Sequence, residues 1–293
     1  MELLVHVTQD RNLFNLGTGV ESHHTSNLAL GLRTALQAPY LMHALLGFSA
    51  QHLAHLRPEK SARYLHQAVA LQTRAISLFN ATRTNVDASN CVAVLLFSSV
   101  LGHHLLAETL SRREPRGLDT FITHYVQCVE MHRGIYTIAS SAWPLLMKSE
   151  LEPILSESIQ FTSRSPKGTD CRPVTELVGH SKDLTELEKD ACRLAIAYLQ
   201  VGFDAALAKD ERLVNKHQMI YTWTMLVPPE FTSMLAKKRP EALVVLAYYA
   251  VLLHYGRDLW QCGDGAAYIF GLVSNHLGPK WDPWLYFPLQ IPT

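Results

Sequence analysis

Charge of one sign is missing from this sequence. Across 293 residues, 26 Lys and Arg balance 26 Asp and Glu, so the formal net charge is zero and the pI lies near 7.3. Neutralising a phosphate backbone takes a concentrated basic surface, and the balance therefore excludes a free-standing nucleic-acid binder. Two short basic clusters, Lys237 to Arg239 and Ser111 to Arg116, adjoin prolines and read as solvated loop charge. Cysteine pairs are missing too. Cys91, Cys128, Cys171, Cys192 and Cys262 are scattered and none forms a CxxC pair. That excludes a zinc ribbon, a zinc cluster or a disulfide framework built from them, and points to reduced, mostly buried thiols of an intracellular protein. The first residues, "MELLVHVTQDRN", have neither the basic stretch nor the apolar core of an export signal. A bilayer-spanning helix needs about 20 apolar residues. The conspicuous unbroken run, Ala242 to Leu253, has only twelve. Sustained strand-like alternation and internal repeats are also absent.

What is present is helical spacing, and the fold class it predicts is all-α, a multi-helix domain with central apolar helices. In "PYLMHALLGFSAQHLAHL", Leu41, Leu45, Phe48, His52 and His55 recur at three and four, with Pro39 suited to a first turn. Tyr64, Ala68, Leu71, Ala75 and Leu78 repeat the period after a break at Arg57 and Pro58, giving two helices joined by a tight turn. "NVDASNCVAVLLFSSVLGHHLLAETL" predicts a third, central helix, "LDTFITHYVQCVEMHRGIYTIA" a fourth, and "AWPLLMKSELEPIL" a shorter fifth. Residues 161–184 turn polar and carry Pro and Gly, which reads as a long surface loop with one helical turn. Beyond it, Thr185 followed by Glu188 forms a capping-box pattern. Pro228 and Pro229 then interrupt one helix and open a short new one. The domain expected is a single helical unit over 1–293.

Candidate chemistry is sparse. Among fifteen histidines, His103 and His104 are adjacent, so their side chains diverge by about 100° on a helix. His52 and His55 share a face, and His6 or His66 could join them, yet no HExxH or paired Glu-x-x-His completes a metal site. No metal and no cofactor is expected. "GFSAQ" lacks the second glycine of a nucleophile elbow, and no strand precedes the glycines near 263–271 as a phosphate loop requires. Aromatics say more. Trp223, Tyr248, Tyr249, Trp260, Tyr268, Phe270, Trp281, Trp284, Tyr286 and Phe287 crowd into the last quarter of the chain. They suit either core packing or a pocket for an apolar ligand bearing one or two oxygens. His254, Arg257 and Asp258, just past the apolar run, either orient such an oxygen or cap the helix end.

The stretches "APYLMHALLGFSAQHLAHLRPEKSARYLHQAVALQTRAISLFN" and "LVPPEFTSMLAKKRPEALVVLAYYAVLLHYGRDLWQCGDGAAYIFGLVSNHLGPKWDPWLYFP" resemble the regulatory domain of fungal zinc-cluster transcription factors, and within them the sterol uptake control branch. The similarity runs nearly end to end and is most specific in the second block. The N-terminal six-cysteine DNA-reading module of that family has no counterpart here. The resemblance implies a helical domain whose C-terminal helices enclose a sterol-like ligand and regulate transcription. The pocket-forming region carried over is Ala242 to His254, Trp260 to Gly265 and Leu277 to Phe287. The expected ligand-binding residues are Tyr248, Tyr249, Leu252, His254, Trp260, Trp281, Trp284 and Phe287.

Three readings of function follow. One is a regulator that binds an apolar small molecule (sterol, terpenoid or polyketide) and acts through a partner. A second is a cofactor-free cyclase of fungal natural-product biosynthesis, with Tyr249, His254, Arg257 and Asp258 as its catalytic candidates. The third is an interaction scaffold. The expected partners are the apolar small molecule, a protein carrying a DNA-binding domain and a second copy of the chain; direct nucleic-acid binding and a transmembrane segment are not expected. The expected location is intracellular, in nucleus or cytoplasm.

Overall fold

The structure, a computed structural model, describes residues 1–14, 24–82, 85–113 and 117–289, and for residues 24–26 and 289 the backbone alone. Every regular element among them is helical, which is the all-α fold expected. The helices are α1 (Glu2–Gln9), α2 (His24–Gln37), α3 (Pro39–Leu56), α4 (Ser61–Thr82), α5 (Cys91–Ser111), α6 (Leu118–Ser141), α7 (Trp143–Leu146), α8 (Glu152–Thr162), α9 (Arg172–His180), α10 (Glu186–Leu207), α11 (Leu213–Leu226), α12 (Pro229–Ala236), α13 (Pro240–Tyr255), α14 (Gly265–Leu277) and α15 (Asp282–Leu289). They divide into two compact units, one of residues 1–105 with 134–158, the other of residues 106–133 with 159–293.

In the first unit, α3 and α4 form a hairpin through a short 3-10 turn at Pro58–Lys60. Pro39 does begin α3, where its missing N–H costs nothing. Gly47 lets the two helices approach, since a Cβ there would lie 3.4 Å from the Ala68 carbonyl oxygen. Tyr40 packs edge-on against Phe79 and Phe97 at 5.3 and 5.2 Å. Helix α1 lies on α3, and its Glu2 carboxylate accepts from Arg57 at 2.5 Å and from the Tyr64 hydroxyl at 2.8 Å. A second cluster joins Leu30, Cys91, Leu95, Ile135, Leu146 and Leu151.

In the second unit, α13 is the centre. Residues 242–253 are all buried, eleven of the twelve at 0% exposure and Val251 at 4%. A helix apolar on every side must be covered on every side. Here α9, α10, α11, α12, α14 and α15 do the covering. Helix α10 starts on the capping box read from the sequence, with Thr185 and Glu188 each accepting from the other's backbone N–H at 3.3 and 2.9 Å. Helix α12 begins at Pro229 as expected.

Two sequence readings change. The segment 161–184 holds more than one helical turn: Arg172–His180 is helical, because Val174 and Val178, four apart, bury one face completely. The helix expected over "AWPLLMKSELEPIL" breaks into α7 and α8, with turns at Met147 to Leu151. The basic clusters also do more than meet solvent. Arg113 pairs with Asp264 and lies 4.4 Å from the Tyr268 ring centroid, Lys238 pairs with Asp119, and Arg239 donates to the Asp183 carbonyl. Residues 114–116 of the first cluster lie outside the described residues. All five cysteines are free and buried, and burial pushes the thiols of Cys128, Cys192 and Cys262 up to about 12. Among the described residues one helix, α5, is long and apolar enough to cross a membrane, and 67% of that stretch is buried within the protein.

Candidate functional site

The faces of α13 are occupied by different partners. One carries Tyr249, fully buried, its ring stacked 4.5 Å from Trp223 and its hydroxyl donating to the Ile220 carbonyl at 2.7 Å. Trp223 in turn donates its indole N–H to the Ala195 carbonyl at 2.9 Å and meets Phe231 at 5.6 Å. On the other side Tyr125 lies 6.1 Å from Tyr249, and Phe121 links Tyr125 to Tyr268. This aromatic column is core. Leu252 faces α10, where Gly202 makes room: a Cβ at that glycine would lie 3.0 Å from Leu252 Cδ2.

A second face carries Glu241 and Tyr248, seven residues apart and so two turns along one side of the helix. Both are buried oxygen-bearing side chains that are not fully satisfied. Glu241 is 5% exposed; its Oε1 accepts from Ser181 Oγ at 2.7 Å, and its Oε2 has no partner. Tyr248 is 0% exposed and its hydroxyl has no partner, while burial raises its pKa above the usual phenol range. Its ring lies 5.5 Å from Phe287, which meets Phe203 edge-on at 5.3 Å. Each unsatisfied buried oxygen costs about 1–3 kcal/mol relative to a paired one.

Glu241 opens onto a cleft of about 450 Å³ between α9, α13 and α15. Glu176, Leu177, His180, Ser181, Lys182 and Asp183 line it from α9 and the turn after it, and Trp284 from α15. Trp281 stands 5.5 Å from Trp284. The arrangement sets a hydrogen-bond acceptor held out of water beside one aromatic side chain in a mostly polar cleft, and so can hold the polar end of a molecule.

Of the expected ligand set, Trp284 lines this cleft with Trp281 beside it, Tyr248 and Phe287 meet each other, Leu252 follows Tyr248 four residues on along the same face of α13, and Tyr249 lies on another face. His254 and Trp260 sit beyond the last turns of the apolar run, half-buried. The catalytic candidates do not converge. Tyr249 spends its proton inside the core, whereas His254, depressed by burial and by the Arg257 charge, lies 3.3 Å from Arg257 at the helix end, and Asp258 is exposed beside them. Sequence reasoning missed Glu241, Ser181 and His180. The available signal was Glu241 itself, an acid opening a twelve-residue apolar run. A first-turn acid also suits the helix dipole, and that ordinary role concealed it.

No protein-family model matches the chain. Curated relatives do. A Zn(2)-C6 fungal-type transcription factor of Gibberella zeae is 23% identical over 268 residues, covering 86% of this chain and 53% of that protein. The chain is thus a homologue of zinc-cluster fungal transcription factors, in agreement with the resemblance read from the sequence. Sterol uptake control protein 2 stands among its relatives in two organisms. The Candida albicans protein is 24% identical over 283 residues, with 88% of this chain and 37% of that protein covered. The Saccharomyces cerevisiae protein is 23% identical over 234 residues, with 77% and 24% covered. The chain spans about half or less of the length of these relatives. A Zn(2)-C6 centre takes six cysteines in one place. The five buried cysteines of this chain sit apart and do not fit such a centre.

Proposed function

We propose that this chain is the regulatory part of a fungal transcription regulator, responding to an apolar small molecule with one polar end and acting through a partner that reads DNA. Homology along 77–88% of the chain to transcription factors and sterol uptake control proteins supports the regulator role. The observation that supports ligand binding is the pair of buried, unpartnered oxygens on one face of α13, at Glu241, which lines an open cleft, and at Tyr248, two turns further along the helix. A ligand hydroxyl donating to Glu241 Oε2 would remove a standing cost, and its apolar body would lie against Trp284 and Phe287. Sterols, terpenoids and reduced polyketides all have that form. The site of action that goes with this reading is intracellular, with the nucleus as the place of its effect.

Native mass spectrometry of the full chain purified from a fungal host, followed by organic extraction, tests the reading. A retained and chemically unchanged lipid is the expected result. A compound released in altered form would instead support an enzyme, and a clean apo mass after incubation with fungal lipid extracts would leave an interaction scaffold.

A further inference from the structure

The histidines at positions 6 and 52, far apart in the sequence, meet in the first unit. Helix α1 carries His6, and Asp10 caps its C-terminal end four residues on, so the two lie one turn apart on one side. That helix packs on α3, where His52 is 1% exposed. His6 Nε2 lies 3.0 Å from His52 Nδ1, and Asp10 Oδ2 lies 3.7 Å from His6 Nδ1. One donor atom from each of the three residues falls within 4.8 Å of the others.

From this geometry we infer that His6, Asp10 and His52 form a site for a divalent transition-metal ion, zinc by preference, that fastens α1 to α3. Two nitrogens on one tetrahedral zinc stand about 3.3 Å apart, given zinc–nitrogen bonds of about 2.0–2.1 Å. To take an ion the imidazole pair gives up its shared proton, opens by a few tenths of an ångström and turns so that both nitrogen lone pairs meet at the metal. Asp10 is already steered: its Oδ1 accepts from the Asn12 backbone N–H at 2.9 Å, which leaves Oδ2 directed at His6. It either enters as the third ligand or holds the His6 ring from behind, as carboxylates commonly do for metal-bound histidines.

The surroundings are compatible. Arg57 is held by Glu2 and Tyr64 and so does not compete for Asp10. His55, one turn further along α3, stacks on the His52 ring at 6.5 Å and does not point its ring edge into the group. The fourth position is then left to water or to an outside ligand. Two imidazoles and a carboxylate suit zinc, nickel or copper far better than magnesium or calcium. Without an ion the same contact is a hydrogen bond between two histidines, so the distinction is experimental.

Isothermal titration of the metal-stripped full chain with Zn²⁺ decides it, together with the visible absorption of the Co²⁺-loaded chain. The expected result is one saturable site per chain, a tetrahedral Co²⁺ band, and affinity reduced at least tenfold in both Asp10→Asn and His6→Gln. These half-buried positions keep the test readable if His52→Ala fails to fold. The inference is overturned by the absence of saturable binding, by a Co²⁺ spectrum of hydrated octahedral type, or by His6→Gln binding zinc as tightly as the parent chain.

Discussion

Two neighbouring tyrosines on α13 separate what a buried hydroxyl does for the fold from what it offers a ligand. Tyr249 donates to the Ile220 carbonyl within α11, so Tyr249→Phe removes a buried hydrogen bond and should cost about 0.5–1.5 kcal/mol in denaturant unfolding. Tyr248 has no partner to lose. Tyr248→Phe should leave stability unchanged or raise it by up to about 1 kcal/mol while weakening ligand binding. Equal losses in both variants would show that Tyr248 is satisfied in solution. His104 makes a second, pH-dependent prediction. Burial holds its pKa down to about 4, from 6.5. The folded ring stays neutral where the unfolded one takes up a proton, so its contribution is complete above about pH 6.5 and is lost as pH falls toward about 4. Over that window stability should fall by up to about 1.4 kcal/mol per pH unit on account of this residue, and His104→Gln should flatten the slope. Urea titrations at stepped pH read both slopes, and identical slopes would contradict the burial of His104.

Among the elements, those with a strong period or a chemical boundary marker were legible in the sequence. Pro39, the Thr185–Glu188 box and Pro229 each mark a helix start that the structure keeps. The burial of 242–253 followed from the absence of any polar face. Helix α9 was hidden because Pro173, Gly179 and polar neighbours dominate its composition, although Pro173 occupies the first turn, where proline is welcome. The candidate site was half legible. Trp281, Trp284 and Phe287 stood out as aromatics, but Glu241 looked like an ordinary first-turn acid, and only the tertiary meeting of α9 with α13 shows that one of its oxygens is unpaired. The meeting of His6 with His52 is likewise tertiary, since nothing in local spacing brings α1 onto α3. At this scale Gly202 is the position to test. A Cβ there would stand 2.9 Å from Met219 Cβ, so Gly202→Ala must push α10 and α11 apart and should cost about 1–3 kcal/mol. A variant as stable as the parent would mean that these helices pack more loosely than the structure has them.

For the whole molecule, the division into two units does not follow the chain. Residues 106–133 belong with 159–293, and their Phe121, Ile122, Tyr125 and Val129 are buried at 3% exposure or less. A fragment of residues 159–293 therefore lacks the partner of Tyr249 on the Tyr125 side. Such a fragment should show helix by circular dichroism without a cooperative unfolding transition, and a sharp transition would contradict the division. The central claim concerns the second unit: its α9, α13 and α15 face an apolar ligand whose polar end meets Glu241. Photo-crosslinking with a diazirine-bearing sterol, mapped by peptide mass spectrometry, tests it most directly. The account predicts adducts confined to residues 176–183, 240–252 and 281–287, reduced in Glu241→Gln at unchanged thermal stability. Adducts spread over the surface, or placed wholly within residues 1–105, would contradict it.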